Sequence, residues 1–165
     1  MRAVLLWPDS RLREKAAPVT KVTEEIRATW EDMIAVMEAM PGVGLAATQL
    51  GIPLRLAVVD ASDERGQVIR MANPEIVSQS DRLAKGTEAS PCLPGVQAQI
   101  DRPDSVEVVY DDERGVRIAK QLDGLWARSV LHQIDHLDGR LYFDRLSPVK
   151  RNMLLKRAAK KGRHK

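Results

Sequence analysis

The chain reads as an α+β fold. Three observations carry that reading. One amphipathic helix signal lies between apolar segments short enough to be strands, two more such segments flank a polar turn, and two further helix signals close the chain. Its 165 residues suit a single domain with one core. An apolar fraction of 44% and a charged fraction of 30% are ordinary for a soluble globular protein. No apolar run approaches the ~20 residues needed to span a bilayer, and the apolar part of the N-terminus is too short for a signal peptide. A single cysteine excludes an internal disulfide framework and suits a reducing cytoplasm. There are no internal repeats and no linker.

Residues 2–6 are expected to form a short strand, and Trp7-Pro8-Asp9-Ser10 a turn or helix start. Thr23 is a good N-cap with Glu24 and Glu25 behind it. Ile26, Trp30, Met33, Ile34 and Met37 recur at helical spacing, so a helix is expected over residues 24–40. Pro41-Gly42-Val43-Gly44 ends it, and residues 45–51 read on their own as a loop that packs through small side chains. Residues 54–59 predict a strand. A second begins at Val68, is stopped by Pro74 and resumes at Ile76 and Val77. Two prolines within four residues predict a fixed loop over 87–95. Residues 106–110 and 116–120 flank Asp111-Asp112-Glu113-Arg114-Gly115 as a hairpin. A helix is expected from about Leu125, then the short apolar stretch Leu141-Tyr142-Phe143, then a final helix opened by Ser147-Pro148.

The helix after Leu125 carries the chemistry. His132 and His136 are four residues apart, so both imidazoles share one face and can reach one metal ion. Val130, Leu131, Ile134 and Leu137 supply the helical apolar period, and Gly139 is a stop signal. The usual zinc-hydrolase form of this motif is H-E-x-x-H, with the carboxylate as general base. Gln133 stands where that carboxylate belongs, so the ligand pair is present and the base is absent.

Charge is unevenly placed. From Lys150 onward the chain carries Lys150, Arg151, Lys156, Arg157, Lys160, Lys161, Arg163 and Lys165 and no acid; the remainder holds 18 basic against 23 acidic residues. Such a tail suits a polyanion. It equally suits a solvated helix end whose cations complement the C-terminal dipole.

Three segments, taken in order, resemble the motifs of the peptide deformylase family. Gly42-Val43-Gly44-Leu45-Ala46-Ala47-Thr48-Gln49 is similar to G-x-G-L-A-A-x-Q, residues 88–95 to E-G-C-L-S-x-P-G, and residues 132–136 to H-E-x-D-H. Asn73-Pro74-Glu75, Asp138-Gly139 and Leu146-Ser147-Pro148 match as flanks, so the resemblance covers nearly the whole chain. It implies a single compact α+β domain, with mixed or antiparallel strands packed around a central metal-site helix and a C-terminal helix. The body would span residues 1–147, and residues 148–165 would be a basic helix or tail of the same domain. The implied reaction is removal of formyl from the N-terminal methionine of new bacterial chains, in the cytoplasm, by a monomer. The implied metal is divalent: Fe2+ in many members, Zn2+ or Ni2+ in others. The implied partners are a formyl-Met peptide or nascent chain and, through the tail, the ribosome.

Carried over by residue, the resemblance makes His132 and His136 metal ligands. Gln49 becomes the glutamine that holds the formyl oxygen. Gly44, with Leu45, lies along the peptide. Asp135 also matches, as a supporting carboxylate or a surface one. Gln133 takes the place of the proton-handling glutamate. The second motif has two registers. Without a gap, Glu88, Pro94 and Gly95 match and Ser90 falls on the ligand cysteine; with a two-residue insertion, Cys92-Leu93 matches C-L. The gapless register is preferred because both ends agree. It puts Pro91, which has no N–H, where the oxyanion donor is expected. The third ligand is therefore Cys92 or Ser90, Cys92 being otherwise a small buried hydrophobe. Glu88 is a further candidate for the metal, or a hydrogen-bonding group within the loop.

Each departure has a cost. A general acid–base is worth ~10²–10⁴ in rate, and one oxyanion donor ~10²–10³. A hydroxyl is also a poorer ligand than a thiolate for these metals. Three readings follow: a hydrolase of this family with reduced or altered activity, a non-catalytic homologue that keeps the peptide groove and basic tail, or a metallohydrolase for another amide that uses a different carboxylate. An engineered Gln133 fits less well, because the second motif is altered too.

Overall fold

The computed structural model describes residues 2–162. Arg163 and Lys165 of the basic tail lie outside them. Three α-helices, α1 (Glu24–Ala39), α2 (Gly124–Leu137) and α3 (Pro148–Gly162), pack against two antiparallel sheets. The strands are β1 (Gly44–Ala46), β2 (Leu56–Val59), β3 (Ile69–Gln79), β4 (Leu83–Glu88), β5 (Ala98–Pro103), β6 (Ser105–Asp111) and β7 (Arg117–Asp123). The larger sheet runs β1-β2-β3-β6-β7, and β4 pairs with β5 alone. One isolated parallel bridge joins Ala17 to Leu54. Among the described residues no helix is long and apolar enough to cross a membrane.

The layers follow from side-chain period. α1 is capped by Thr23, whose hydroxyl accepts from the Ile26 N–H, and it buries Trp30, Met33 and Met37 against Leu45, Leu56 and Val58. The Trp30 indole N–H donates to the Met71 carbonyl at 3.1 Å, so its one polar atom is satisfied in the core. On β6, Val106, Val108 and Tyr110 alternate inward and meet Val130 and Leu131 of α2. β2 has α1 on one face and α2 on the other. All four of its residues are buried, which is why it reads as an unbroken apolar run. A third cluster seats α3 through Leu154 on Leu12, Ile100, Tyr142 and Phe143.

The structure departs from expectation in four places. Residues 2–6 form no strand; this segment is held by single bonds such as Leu5 N–H to the Gln49 carbonyl at 2.8 Å. Pro74 does not stop β3, because the register to β6 slips there and no N–H is needed. Asn73 adopts φ +53° at that bulge, and its side chain bonds the Val19 backbone twice, at 2.8 Å each. β1 lies inside the segment read as a loop, where buried Leu45 and Ala46 pair with Val58 and Ala57. β4 and β5 were not expected at all: Leu83, Ala84, Lys85 and Thr87 of β4 and Gln99 and Asp101 of β5 are exposed, and two of the buried residues are the charged Glu88 and Arg102.

Candidate functional site

Three segments meet along the first three turns of α2. The stretch around β1, the loop after β4 and the exposed start of α2 enclose a cleft of about 420 Å3, whose walls include Gly44, Gln49, Ser90, Pro91, His132 and Gln133. All three motifs thus converge on one place.

The two histidines face each other, Nε2 to Nε2, at 3.2 Å. Glu88 accepts at 2.8 Å on the far side of His132, at Nδ1. A proton held on Nδ1 by that carboxylate leaves the Nε2 lone pair free, the arrangement of metal-ligating histidines. His136 is buried and its basicity is pushed well down, first by burial and then by the nearby His132 and Arg102, so its imidazole is neutral. Its Nδ1 is buried without a partner among the described residues. A 3.2 Å separation suits two nitrogens that each bind one ion at about 2.0–2.1 Å. The histidine pair therefore fits a divalent metal. A full ligand set does not: among the described residues no three His, Cys, Asp or Glu side chains are gathered to hold one.

The second motif explains the missing member. Ser90 and Pro91 line the cleft, whereas Cys92 is 1% exposed and packs with Leu12, Leu93 and Phe143 in the α3 cluster. Burial raises the Cys92 thiol above its ordinary value, against weaker hydrogen bonds from Gln49 and Ser90. Burial thus favours its protonated form. Ser90 Oγ accepts from the Cys92 N–H at 3.3 Å. Gln49 is held by the Ala46 N–H, which donates to its Oε1 at 2.9 Å; its NH2 then faces Ser90 Oγ at 3.5 Å and Cys92 Sγ at 3.4 Å.

Glu88 faces away from the paired Nε2 atoms. Arg102 donates to it twice, at 2.7 and 2.8 Å, and Arg128 once at 2.7 Å. Burial alone would raise this carboxyl. The hydrogen bonds from Arg102 and His132 and the Arg102 charge outweigh burial and hold it far below the carboxylate range. Asp135 is a buried carboxylate, not a surface one, and accepts from Arg102 at 2.9 Å and twice from Arg145 at 2.8 Å.

Gly44 is required by space. A Cβ there would stand 2.4 Å from Ser129 Oγ and 2.5 Å from Gln133 Nε2. The Leu45 side chain is fully buried under α1, which leaves only its backbone for a ligand. Gln133 lines the cleft, and its Oε1 is buried with no partner among the described residues. Arg102, Arg128 and Ser129 escaped the sequence reading. The helical period did carry a signal for two of them, since Arg128 with His132 and Ser129 with Gln133 are i,i+4 pairs.

The chain is similar to known proteins over nearly its whole length. The family model described as polypeptide deformylase matches residues 1–152. A peptide deformylase of Afipia carboxidovorans is 39% identical over 162 residues, covering 97% of this chain and 95% of that protein. One named peptide deformylase 2 from Xanthomonas axonopodis pv. citri is 42% identical over 165 residues, covering 98% and 96%. The crystal structure of a peptide deformylase from Ehrlichia chaffeensis superposes with a TM-score of 0.93 at 31% identity, covering 99% of this chain and 98% of that one.

Proposed function

Because the chain belongs to the peptide deformylase family, we propose that its cleft receives the N-terminal end of a formylated peptide while hydrolysis of the formamide is weak or absent. One observation carries this reading. Glu88 is the only carboxylate among the described residues lining the cleft, and it is already committed to Arg102, Arg128 and His132. With its basicity so depressed, Glu88 does not take up a proton near neutral pH.

The family is one of metalloenzymes that act on formyl-Met peptides. His132 and His136 would hold the divalent ion, which when bound would supply Lewis-acid polarisation at the formyl group. The Gln49 amide is oriented to donate to an oxygen in the cleft. The Gly44 backbone lines the groove, with no side chain between it and a peptide. Gln133 accepts a hydrogen bond but cannot take and return a proton. Pro91 offers no N–H, and the next one, on Cys92, is engaged by Ser90 Oγ. The missing free carboxylate also weighs against a metallohydrolase with a substitute base.

The test is turnover of a formyl-Met peptide by metal-loaded protein, with Gln133 verified in the sample and contaminating deformylase excluded. Binding without appreciable turnover is expected. Ordinary family rates would overturn the proposal.

A further inference from the structure

The cleft has a charged wall. Arg128 lines it beside the apolar Met40, Val43 and Leu125. Its guanidinium lies over Gly86, where a Cβ would stand 2.7 Å from the guanidinium carbon, so a side chain at 86 and this placement of Arg128 exclude one another. Arg128 Nη1 donates to Glu88 at 2.7 Å and to the Ile100 carbonyl at 2.9 Å, and Nη2 to the Ala84 carbonyl at 2.7 Å. These bonds fix the group. They leave its Nε–H without an acceptor among the described residues. Arg128 also ends a chain of ion pairs through Glu88, Arg102 and Asp135 to Arg145, in which three guanidiniums meet two carboxylates. The surplus is one positive charge, and Arg128 is the member of the chain that shares the cleft with Glu88.

We infer that Arg128 sets side-chain specificity, so that the cleft prefers a peptide whose first residue is acidic over one that begins with methionine. The inference rests on the reading that the cleft holds a peptide N-terminus. An acidic side chain lays its methylenes on the apolar wall and brings a carboxylate to the guanidinium, which matches three cations with three anions. A thioether offers only a weak acceptor to the free Arg128 Nε–H and brings no anion to the network.

The test is calorimetric titration of the full chain with three N-formyl tripeptides that differ only in the first residue: Glu, Gln or Met. The glutamate peptide should bind about tenfold or more tighter than the methionine peptide, the scale of one charge-assisted hydrogen bond, with glutamine between. Arg128→Met should invert that order, and Arg128→Lys should keep its sign. The order in the unaltered protein needs no variant, so a poorly folded Arg128→Met leaves the test intact. If the methionine peptide binds as well or better, Arg128 is only a clamp between α2 and the β4–β5 hairpin, and the inference falls while the peptide reading stands. If none of the three binds, the peptide reading falls and takes this inference with it.

Discussion

Gln133 has the shape of a glutamate and none of its proton chemistry, and around it the other departures act in concert. In the gapless register Ser90 stands where the family motif has its cysteine, and Pro91, which has no N–H, lies in the same cleft wall. Gln133→Glu restores one function only. If each loss is independent, the reversion recovers at most the ~10²–10⁴ that a general acid–base supplies, from a base already lowered by the loop. The expected result is a gain in kcat/KM for formyl-Met peptide that still falls well short of family rates. A return to family rates from this single change would mean that the Ser90-Pro91-Cys92 loop builds a competent site. Cys92 provides the companion test. Its side chain is packed into the α3 cluster beside Leu12, Leu93 and Phe143, so Cys92→Ala should leave metal content of the purified protein unchanged and lower thermal stability modestly, as for a small buried hydrophobe. A strong fall in bound metal would make Cys92 a ligand and support the register with an insertion.

At the scale of elements, the β4–β5 hairpin is joined to α2 by charge. Arg102 is 1% exposed and lies between Glu88 and Asp135. Glu88→Gln should therefore destabilise strongly, by about 3–5 kcal/mol, since it breaks a buried pair and leaves its partners under-compensated. The pH dependence has a definite sign. The folded Glu88 carboxyl lies below its unfolded value of about 4.3. Its contribution is thus fully present above that value and is lost as pH falls toward the folded one. Urea midpoints of the two proteins should differ most near pH 7 and converge below about pH 4. A constant gap across that range would show that the Glu88 charge is not what holds the hairpin. This network also marks the limit of sequence reading. α1 and α2 were legible because caps and apolar residues recur at the helical period, and His132 and His136 fell on one face for the same reason. β4 and β5 were not, because their inward residues include Glu88, Ile100 and Arg102. A buried charge looks like a surface one until its partners are placed. β3 was misread at Pro74 because the bulge that tolerates it depends on Asn73 reaching the backbone of a distant segment.

For the molecule as a whole, the feature left to explain is a mildly acidic body with a basic helix attached. α3 is anchored by Leu154, which is fully buried, while Val149 and Met153 stay exposed at 69% and 58%. Its cations beyond Leu155 include Arg157, beside the groove formed by Gln97 and Ala98, and Lys161, which donates to the Gly95 carbonyl at 2.5 Å. Two accounts compete: a solvated helix end whose Lys160 and Lys161 complement its dipole, and a surface for ribosomal RNA. They separate on salt. Helix–dipole stabilisation is internal and worth only ~0.3–1 kcal/mol. A surface that neutralises about four phosphates loses ~10²-fold in affinity between about 50 and about 200 mM salt. Cosedimentation with bacterial ribosomes should follow the steeper dependence. Deleting residues 156–165 should abolish it without unfolding the domain, because Leu154 and its contacts with Leu12, Ile100 and Phe143 are retained. A truncated protein with an unchanged melting curve that still binds ribosomes would move the contact elsewhere on the surface. A full chain that fails to bind at low salt would leave α3 as a solvated helix.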